Sequence, residues 1–246
     1  MTDTDATGRH PARRVLIIGD SNCLPRPPGK YADSWIYLLK QAMPQVDFVI
    51  LADGSRTTEY LAIYPRRRPD GTLEYDPANL EIYEPRIVIC NLGIVDCAPR
   101  LFTKFESRFL STIPTQLRTV LIAATKRIRR RTSLRAYVRL PAFEHNVRQY
   151  LARCRASGVG KVILIGIPTP DIRGTRRNPT IREAVAQYNA VLAGFSRQDE
   201  RVVFIDPLQP EQDVSRLYVD DGYHLSIAGH RRLYCALAKV LGLESA

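Results

Sequence analysis

The sequence predicts a single α/β domain in which helices cover both faces of a parallel sheet. Short apolar runs such as Val15-Leu16-Ile17-Ile18 alternate with longer stretches of helical periodicity along the whole chain. Parallel strands need crossover helices and become apolar on both sides, so this alternation is typical of a three-layer α/β/α sandwich. The chain of 246 residues, 45% of them hydrophobic, is long enough for one large core, and it has no internal repeat and no Gly/Ser linker.

Each predicted element follows from a local pattern. The first run ends in Gly-Asp-Ser, Ala-Asp-Gly at 52–54 stops the second, and Pro85 leads into the third. Trp35, Ile36, Leu38 and Leu39 indicate the first helix, and residues 66–71 form a turn-rich excursion. The strands are predicted at 15–18, 46–51, 87–90, 162–165 and 202–205, and the helices at about 33–41, 135–157, 181–195 and 225–241.

The domain is expected to span residues 15–246, behind a flexible N-terminus of residues 1–14 and with a basic insertion at about 101–135. The first 14 residues are polar and lack the apolar region of a signal peptide. No run approaches the ~18 apolar residues of a membrane span. We therefore expect a cytoplasmic protein without a transmembrane segment.

The cysteines give no sign of a disulfide framework or a structural zinc site. There are five, an odd number, without a C-x-x-C pair and without a histidine at metal-finger spacing. They are interpreted as reduced, mostly buried thiols: Cys23, Cys90, Cys97, Cys154 and Cys235. No metal is expected.

Two motifs carry candidate chemistry. Ser21 follows the first strand directly, in Gly19-Asp20-Ser21-Asn22, where its Oγ and its own N–H can face one cleft; the alternative is a helix N-cap. Near the other end of the chain, Asp221 precedes His224 by three residues, and a short turn lets its carboxylate hold the Nδ1 proton of the imidazole. The alternative there is a surface turn with an unrelated histidine.

Together these motifs resemble the SGNH (GDSL-type) hydrolase family. Its G-D-S block matches residues 19–21, its second-block glycine matches Gly54, and its D-x-x-H block matches residues 221–224. The resemblance implies a flavodoxin-like sheet, a catalytic triad of Ser21, His224 and Asp221, and an oxyanion hole that includes the N–H groups of Ser21 and Gly54. It requires no cofactor.

The third block departs from the family pattern. Where the family has G-x-N-D, this chain has Gly93-Ile94-Val95-Asp96, so the asparagine that donates to the oxyanion is a valine. Loss of such a donor costs on the order of 3 kcal/mol of transition-state stabilisation. Asn22 and Asn91 are candidate substitutes, or residue 95 contacts the acyl chain of the substrate. The stretches at 93–100 and 24–26 resemble SGNH-like proteins of polysaccharide or secondary-metabolite clusters, which makes Arg100 a candidate substrate contact.

The chain is basic, with a net charge of +11, and only six of its 36 cationic side chains are lysines. Two explanations of the arginine excess are equally good: codon usage in a GC-rich genome, and binding of an anionic partner. Between Ser107 and Phe143 there is no acidic residue but nine basic ones. This segment is either a solvated face or a dock, through Arg129, Arg130 and Arg131, for an anion such as a carrier phosphate, coenzyme A, a nucleotide sugar or an anionic membrane. No nucleic-acid motif is present, so no nucleic-acid partner is expected.

Three functions follow from the sequence. The first is a serine hydrolase that cleaves an ester or thioester on a small or carrier-linked acyl substrate. An acyltransferase would use the same acyl-enzyme and differ only in its acceptor. The valine at 95 also permits a non-catalytic binding module. The acyl group, the acceptor and the oligomeric state are left open.

Overall fold

The computed structural model describes residues 14–62, 80–99, 136–206 and 214–243, together with shorter pieces at 64–67, 73–76, 102, 106, 109–110, 112–129 and 208. The expected flexible N-terminus lies outside these residues except for Arg14. That residue belongs to the first strand instead, where it pairs in register with Asp47 and its Nε donates to the Asp47 carboxylate at 2.6 Å.

A parallel sheet forms the centre of the protein. Its strands within the described residues are β1 Arg14–Gly19, β2 Asp47–Ala52, β5 Ile87–Asn91, β6 Lys161–Ile165 and β7 Val202–Ile205. They lie in the order β2-β1-β5-β6-β7, the flavodoxin-like order, and all neighbouring pairs are parallel. All five strands predicted from the apolar runs are therefore confirmed, within one or two residues at their ends.

Alternate residues of each strand enter different apolar clusters, one on each face of the sheet. The described helices are α1 Trp35–Ala42, α2 Ile94–Cys97, α3 Thr115–Arg129, α4 Leu140–Ala156, α5 Ile172–Arg177, α6 Ile181–Ser196 and α7 Ile227–Leu241. In β1, Leu16 and Ile18 belong to the cluster with α4 and α6, whereas Val15 and Ile17 belong to the cluster with α1 and α7. Two helical layers around one sheet confirm the three-layer α/β/α fold.

Three helices begin later than the sequence predicted, each at a local start signal. Ser34 caps α1 by accepting from Tyr37 N at 3.2 Å, and Ser226 caps α7 by accepting from Gly229 N at 3.2 Å. Helix α4, predicted from about residue 135, begins at Leu140, because Pro141 lies in its first turn, where its missing N–H leaves no hydrogen bond unmade.

Between β2 and β5 the sequence predicts a turn-rich excursion at residues 66–71, and the structure places residues 66 and 67 in a hairpin strand instead. Strands β3 Tyr64–Arg67 and β4 Leu73–Asp76 pair antiparallel. The basic insertion contains α3. Described residues on either side of the insertion meet, because the Val138 N–H donates to Asp96 O at 3.3 Å, beyond the end of β5. No helix within the described ranges is both long and apolar enough to cross a bilayer.

The strand register brings the candidate site together. Gly19, the last residue of β1, is opposite Ala52 of β2 on one side and Asn91 of β5 on the other. The loops that carry Ser21, Gly54 and Gly93 therefore open at the same carboxyl edge, where ligands bind in sheets of this kind.

Candidate active site

Ser21 begins a short 3₁₀ turn directly after β1. Asp20 is extended and accepts from the Asn22 N–H at 2.9 Å, while its own N–H donates to Asn91 O at 3.0 Å. The buried Trp35 indole also fixes the turn, because its N–H donates to Asn22 O at 3.2 Å. Ser21 is 5% exposed, so the turn holds its hydroxyl at the rim of the sheet instead of in open solvent. The N-cap of this turn is Asp20, whereas the Ser21 hydroxyl is directed to His224, so the alternative of an N-cap holds for the aspartate and not for the serine.

The turn that carries His224 depends on a glycine. Gly222 has a φ of +73°, and a Cβ there would lie 2.2 Å from Asp171 Oδ1, so only glycine fits. Asp221 Oδ1 accepts from the N–H groups of Tyr223 and His224 at 2.8 and 2.9 Å. The carboxylate and the imidazole are therefore fixed to the same backbone turn just before α7.

Ser21, His224 and Asp221 form a continuous chain of hydrogen bonds. His224 Nε2 is 2.9 Å from Ser21 Oγ, and His224 Nδ1 is 2.5 Å from Asp221 Oδ2. Burial raises the pKa of Asp221, but the hydrogen bonds from the backbone and ring of His224 outweigh it, and the net pKa lies below its usual range. An ionised Asp221 holds the proton on Nδ1 and leaves Nε2 to accept from the serine.

The second-block loop is tied to the third block by a buried network that the sequence did not reveal. Asp96 Oδ1 accepts from the Thr58 backbone N–H at 2.9 Å and from Thr58 Oγ1 at 2.5 Å. Asn146 of α4 donates to Thr58 Oγ1 at 3.3 Å. These three residues are at most 2% exposed, so the network fixes the loop that begins at Gly54.

Two backbone donors are available for an oxyanion. Among the described residues, no hydrogen bond uses the N–H of Ser21 or the N–H of Gly54. Gly54 is exposed, and no atom lies within 4 Å of the position of an added Cβ. These are the two backbone donors that the resemblance implies, and their role is a prediction that the structure leaves untested.

The residues considered around the missing asparagine all lie in the interior. Val95 is 4% exposed and packs in the apolar cluster with α4 and α6. Asn91 directs its amide to Cys23 Sγ at 3.6 Å, and Asn22 is 1% exposed. Neither asparagine has a described contact with the triad side chains, and their role as substitute donors stays a prediction.

The interior below the nucleophile disfavours charge. Burial raises the pKa of Asp20 to about 7; the Asn22 N–H opposes this shift, the charge of Asp96 adds to it, and the Ile94 N–H opposes it. Burial likewise raises the pKa of the Cys23 thiol well above its usual range.

All five cysteines are free, four of them buried and Cys235 exposed, as expected from the sequence. No three His, Cys, Asp or Glu side chains gather as a metal site in the part of the chain that the structure describes.

Of the predicted basic contacts, Arg100, Arg130 and Arg131 lie outside the described residues, and Arg129 is the last residue of α3. The structure brings a different arginine to the triad. Arg26 Nη2 is 3.2 Å from His224 Nε2, although the two residues are 198 positions apart. In the sequence, Arg26 appeared only as part of a stretch that resembles the subfamily.

Comparison with known proteins decides the family. Residues 17–232 match the model of the GDSL-like Lipase/Acylhydrolase family, a range that includes the serine, the histidine and all of the sheet except the first three residues of β1. The chain belongs to this family. The match confirms the resemblance seen in the sequence, and no curated protein matches significantly.

Solved structures agree with this GDSL fold. TesA is 18% identical, with 93% of this chain and 97% of that one covered at a TM-score of 0.57. A catalytic mutant of Axe2, an acetylxylan esterase from Geobacillus stearothermophilus, is 17% identical, with 99% and 98% covered at a TM-score of 0.57. LAE5, an alpha/beta hydrolase enzyme from the metagenome of Lake Arreo, is 16% identical, with 95% and 97% covered at a TM-score of 0.60. At these identities the structures establish the shared fold, and family membership supports a hydrolase.

Proposed function

We propose that the protein is a serine esterase that cleaves an ester or thioester through an acyl-enzyme on Ser21. The observation that carries this proposal is the hydrogen-bonded chain from Ser21 through His224 to Asp221. A non-catalytic binding module would not require these three side chains to be hydrogen-bonded in this order.

The geometry assigns a role to each group. Ser21 Oγ attacks the acyl carbon and gives its proton to His224 Nε2, while Asp221 stabilises the imidazolium that forms. The tetrahedral oxyanion accepts from the N–H groups of Ser21 and Gly54. Nε2 then returns the proton to the leaving oxygen or sulfur as the acyl–oxygen or acyl–sulfur bond breaks, and a water molecule releases the acid by the reverse sequence.

Hydrolysis is favoured over acyl transfer by the openness of the second-block loop. Asp53, Gly54 and Ser55 are all exposed, so water reaches the side on which the oxyanion would lie. An acyltransferase has to exclude water from the acyl-enzyme, and no described element covers this loop. The two activities are separated by adding a nucleophilic alcohol and measuring the partition between acid and transesterified product.

Kinetics of triad variants test the proposal. Ser21→Ala and His224→Ala should each lower kcat on 4-nitrophenyl acetate by at least about a thousandfold, and the double variant should be little worse, because the residues act as one unit. His145→Ala is the matched control, since His145 is exposed on α4. Turnover close to that of the unmodified protein in either single variant would exclude this mechanism.

A further inference from the structure

Arg26 occupies a position at the triad that the proposed mechanism does not use. Its Nη2 lies 3.2 Å from His224 Nε2, the same atom that Ser21 Oγ approaches to 2.9 Å. The side chain is exposed, and within the described ranges no carboxylate forms a salt bridge with it. Within the described residues the guanidinium contacts the imidazole but no carboxylate, so its charge faces whatever binds beside His224.

This position conflicts with catalysis on a neutral ester. When Nε2 takes the serine proton, an imidazolium forms next to a guanidinium, and the two positive charges repel each other. Arg26 also donates toward the lone pair that must accept the Ser21 proton. An anionic group that bound the guanidinium would draw it away from Nε2 and balance both charges.

The direction of proton transfer indicates which part of the substrate would carry the anion. Nε2 protonates the leaving oxygen, so the alcohol half of an ester lies on the side of Nε2. Arg26 is on that side, whereas the oxyanion donors Ser21 N–H and Gly54 N–H are directed to the acyl half. Resting on the proposed function, we propose that Arg26 binds a carboxylate or phosphate on the alcohol half, so that the enzyme selects esters of anionic alcohols.

Matched esters test this selection. 4-Acetoxybenzoate and 4-acetoxyphenyl phosphate carry the two kinds of anion on the leaving group, and 4-acetoxybenzamide is the neutral counterpart. Arg26→Gln should lower kcat/KM for both anionic esters by at least about tenfold, the low end for a lost hydrogen bond to a charged group. The neutral ester should be unchanged or faster, because the repulsion is gone. The larger of the two losses identifies the preferred anion.

Two further variants control for charge. Arg26→Lys should keep part of the preference for anionic over neutral esters. Lys30→Gln removes a charge from an exposed residue of the same loop and should keep all of this preference. If Arg26→Gln lowered kcat/KM equally for all three esters, or for none of them, the proposal would be overturned.

Binding separates this proposal from the proposed function. In Ser21→Ala protein, which should not turn over, 4-acetoxybenzoate should bind at least about tenfold more tightly than the benzamide, and adding Arg26→Gln should abolish the difference. Equal affinities would overturn the role of Arg26 whatever the triad variants show.

A second, independent observation concerns α3. Leu117, Val120 and Leu121 are 54%, 65% and 38% exposed, and their spacing places them on one face of the helix. Phe109, just before the helix, is 62% exposed. No other described element makes an extensive contact with α3.

The charge of the segment indicates what covers the stripe. From residue 107 to 143 there are nine basic residues and no acidic one, so two copies of the segment would repel each other. A basic helix with an exposed apolar face fits an anionic lipid surface. We propose that α3 lies on such a surface with the stripe buried in it. The hydrogen bond from Val138 N–H to Asp96 O, at 3.3 Å, joins this segment to the fold at the carboxyl edge of the sheet.

Vesicle sedimentation tests this proposal without any enzymatic readout. At about physiological salt the protein should bind vesicles of phosphatidylcholine mixed with phosphatidylglycerol and not vesicles of phosphatidylcholine alone. Leu117→Ser with Val120→Ser should weaken binding by at least about tenfold. Ile172→Ser, which removes a 50% exposed side chain on α5, should not. Absence of binding, binding indifferent to the double substitution, or self-association through the stripe in sedimentation velocity would each overturn it.

Discussion

Replacement of Thr58 by valine removes one hydroxyl from the buried network that joins the second and third blocks. In the structure, Thr58 Oγ1 donates to Asp96 Oδ1 at 2.5 Å and accepts from Asn146 Nδ2 at 3.3 Å. A hydrogen bond to a charged group contributes about 1.5–3 kcal/mol, and a buried donor left unpaired costs about 1 kcal/mol or more. Thr58→Val should therefore lower the free energy of unfolding by about 3 kcal/mol.

Thermal unfolding measures this loss. For a chain of this size 1 kcal/mol corresponds to about 2–4 °C, so the Tm should fall by about 6–12 °C. Ester hydrolysis should slow as well, because Thr58, in the loop that begins at Gly54, loses one of the two bonds it makes to Asp96. Thr119→Val is the control: its hydroxyl donates to Thr115 O on an exposed face, and its removal should change stability by less than about 0.5 kcal/mol. A Tm equal to that of the control would refute the reasoning.

Three further predictions concern single side chains. His230 is buried, and burial lowers its pKa from 6.5 to about 4, so the unfolded state binds more protons in this window and stability falls as the pH drops from 6.5 to 4. Urea unfolding measures this pH dependence. Between pH 6.5 and 4, the free energy of unfolding should fall by up to about 3 kcal/mol less in His230→Leu than in the unmodified protein. His145→Leu, a substitution on an exposed helix surface, is the control and should follow the unmodified protein. Val95→Asn adds an amide in the third block; steady-state kinetics should show a modest gain on small esters, bounded by about 3 kcal/mol, and thermal unfolding a loss of about 1–3 kcal/mol. A fall in activity with the fold intact would instead indicate an apolar contact at 95. Asp221→Asn should lower kcat on the order of 10³–10⁴-fold with little change in KM, and kcat near that of the unmodified protein would show that its carboxylate does not orient the base.

The sheet could be predicted because its strands are buried on both faces. Runs such as Val162–Ile165 are apolar at every position, which is the pattern of central parallel strands. The hairpin at 64–67 and 73–76 could not be predicted in this way. Pro65, Arg66 and Arg67 give no strand pattern, and the pairing depends on a partner strand across a turn. Helix starts were misplaced where a cap or a proline in the first turn, not apolar periodicity, sets the boundary.

The triad residues could be proposed from the sequence because each lies in a short motif at a strand end or turn. The contacts that modify the site have no such local pattern. Arg26 meets His224 across 198 positions, and Thr58 meets Asp96 across 38, so only the folded chain brings these groups together. For Thr58 and Asp96 it is the register of β1, β2 and β5 that places their two loops at one edge of the sheet. The sequence showed the missing asparagine at 95 but not the cation beside the base.

Covalent trapping tests the central claim most directly. After incubation with a fluorophosphonate, intact mass spectrometry should show one adduct on the unmodified protein, and peptide mapping should place it on Ser21. Ser21→Ala should remain unlabelled, and His224→Ala should label far more slowly. An enzyme that hydrolyses 4-nitrophenyl acetate while Ser21 stays unmodified, or a Ser21→Ala protein that is labelled equally, would contradict the acyl-enzyme mechanism.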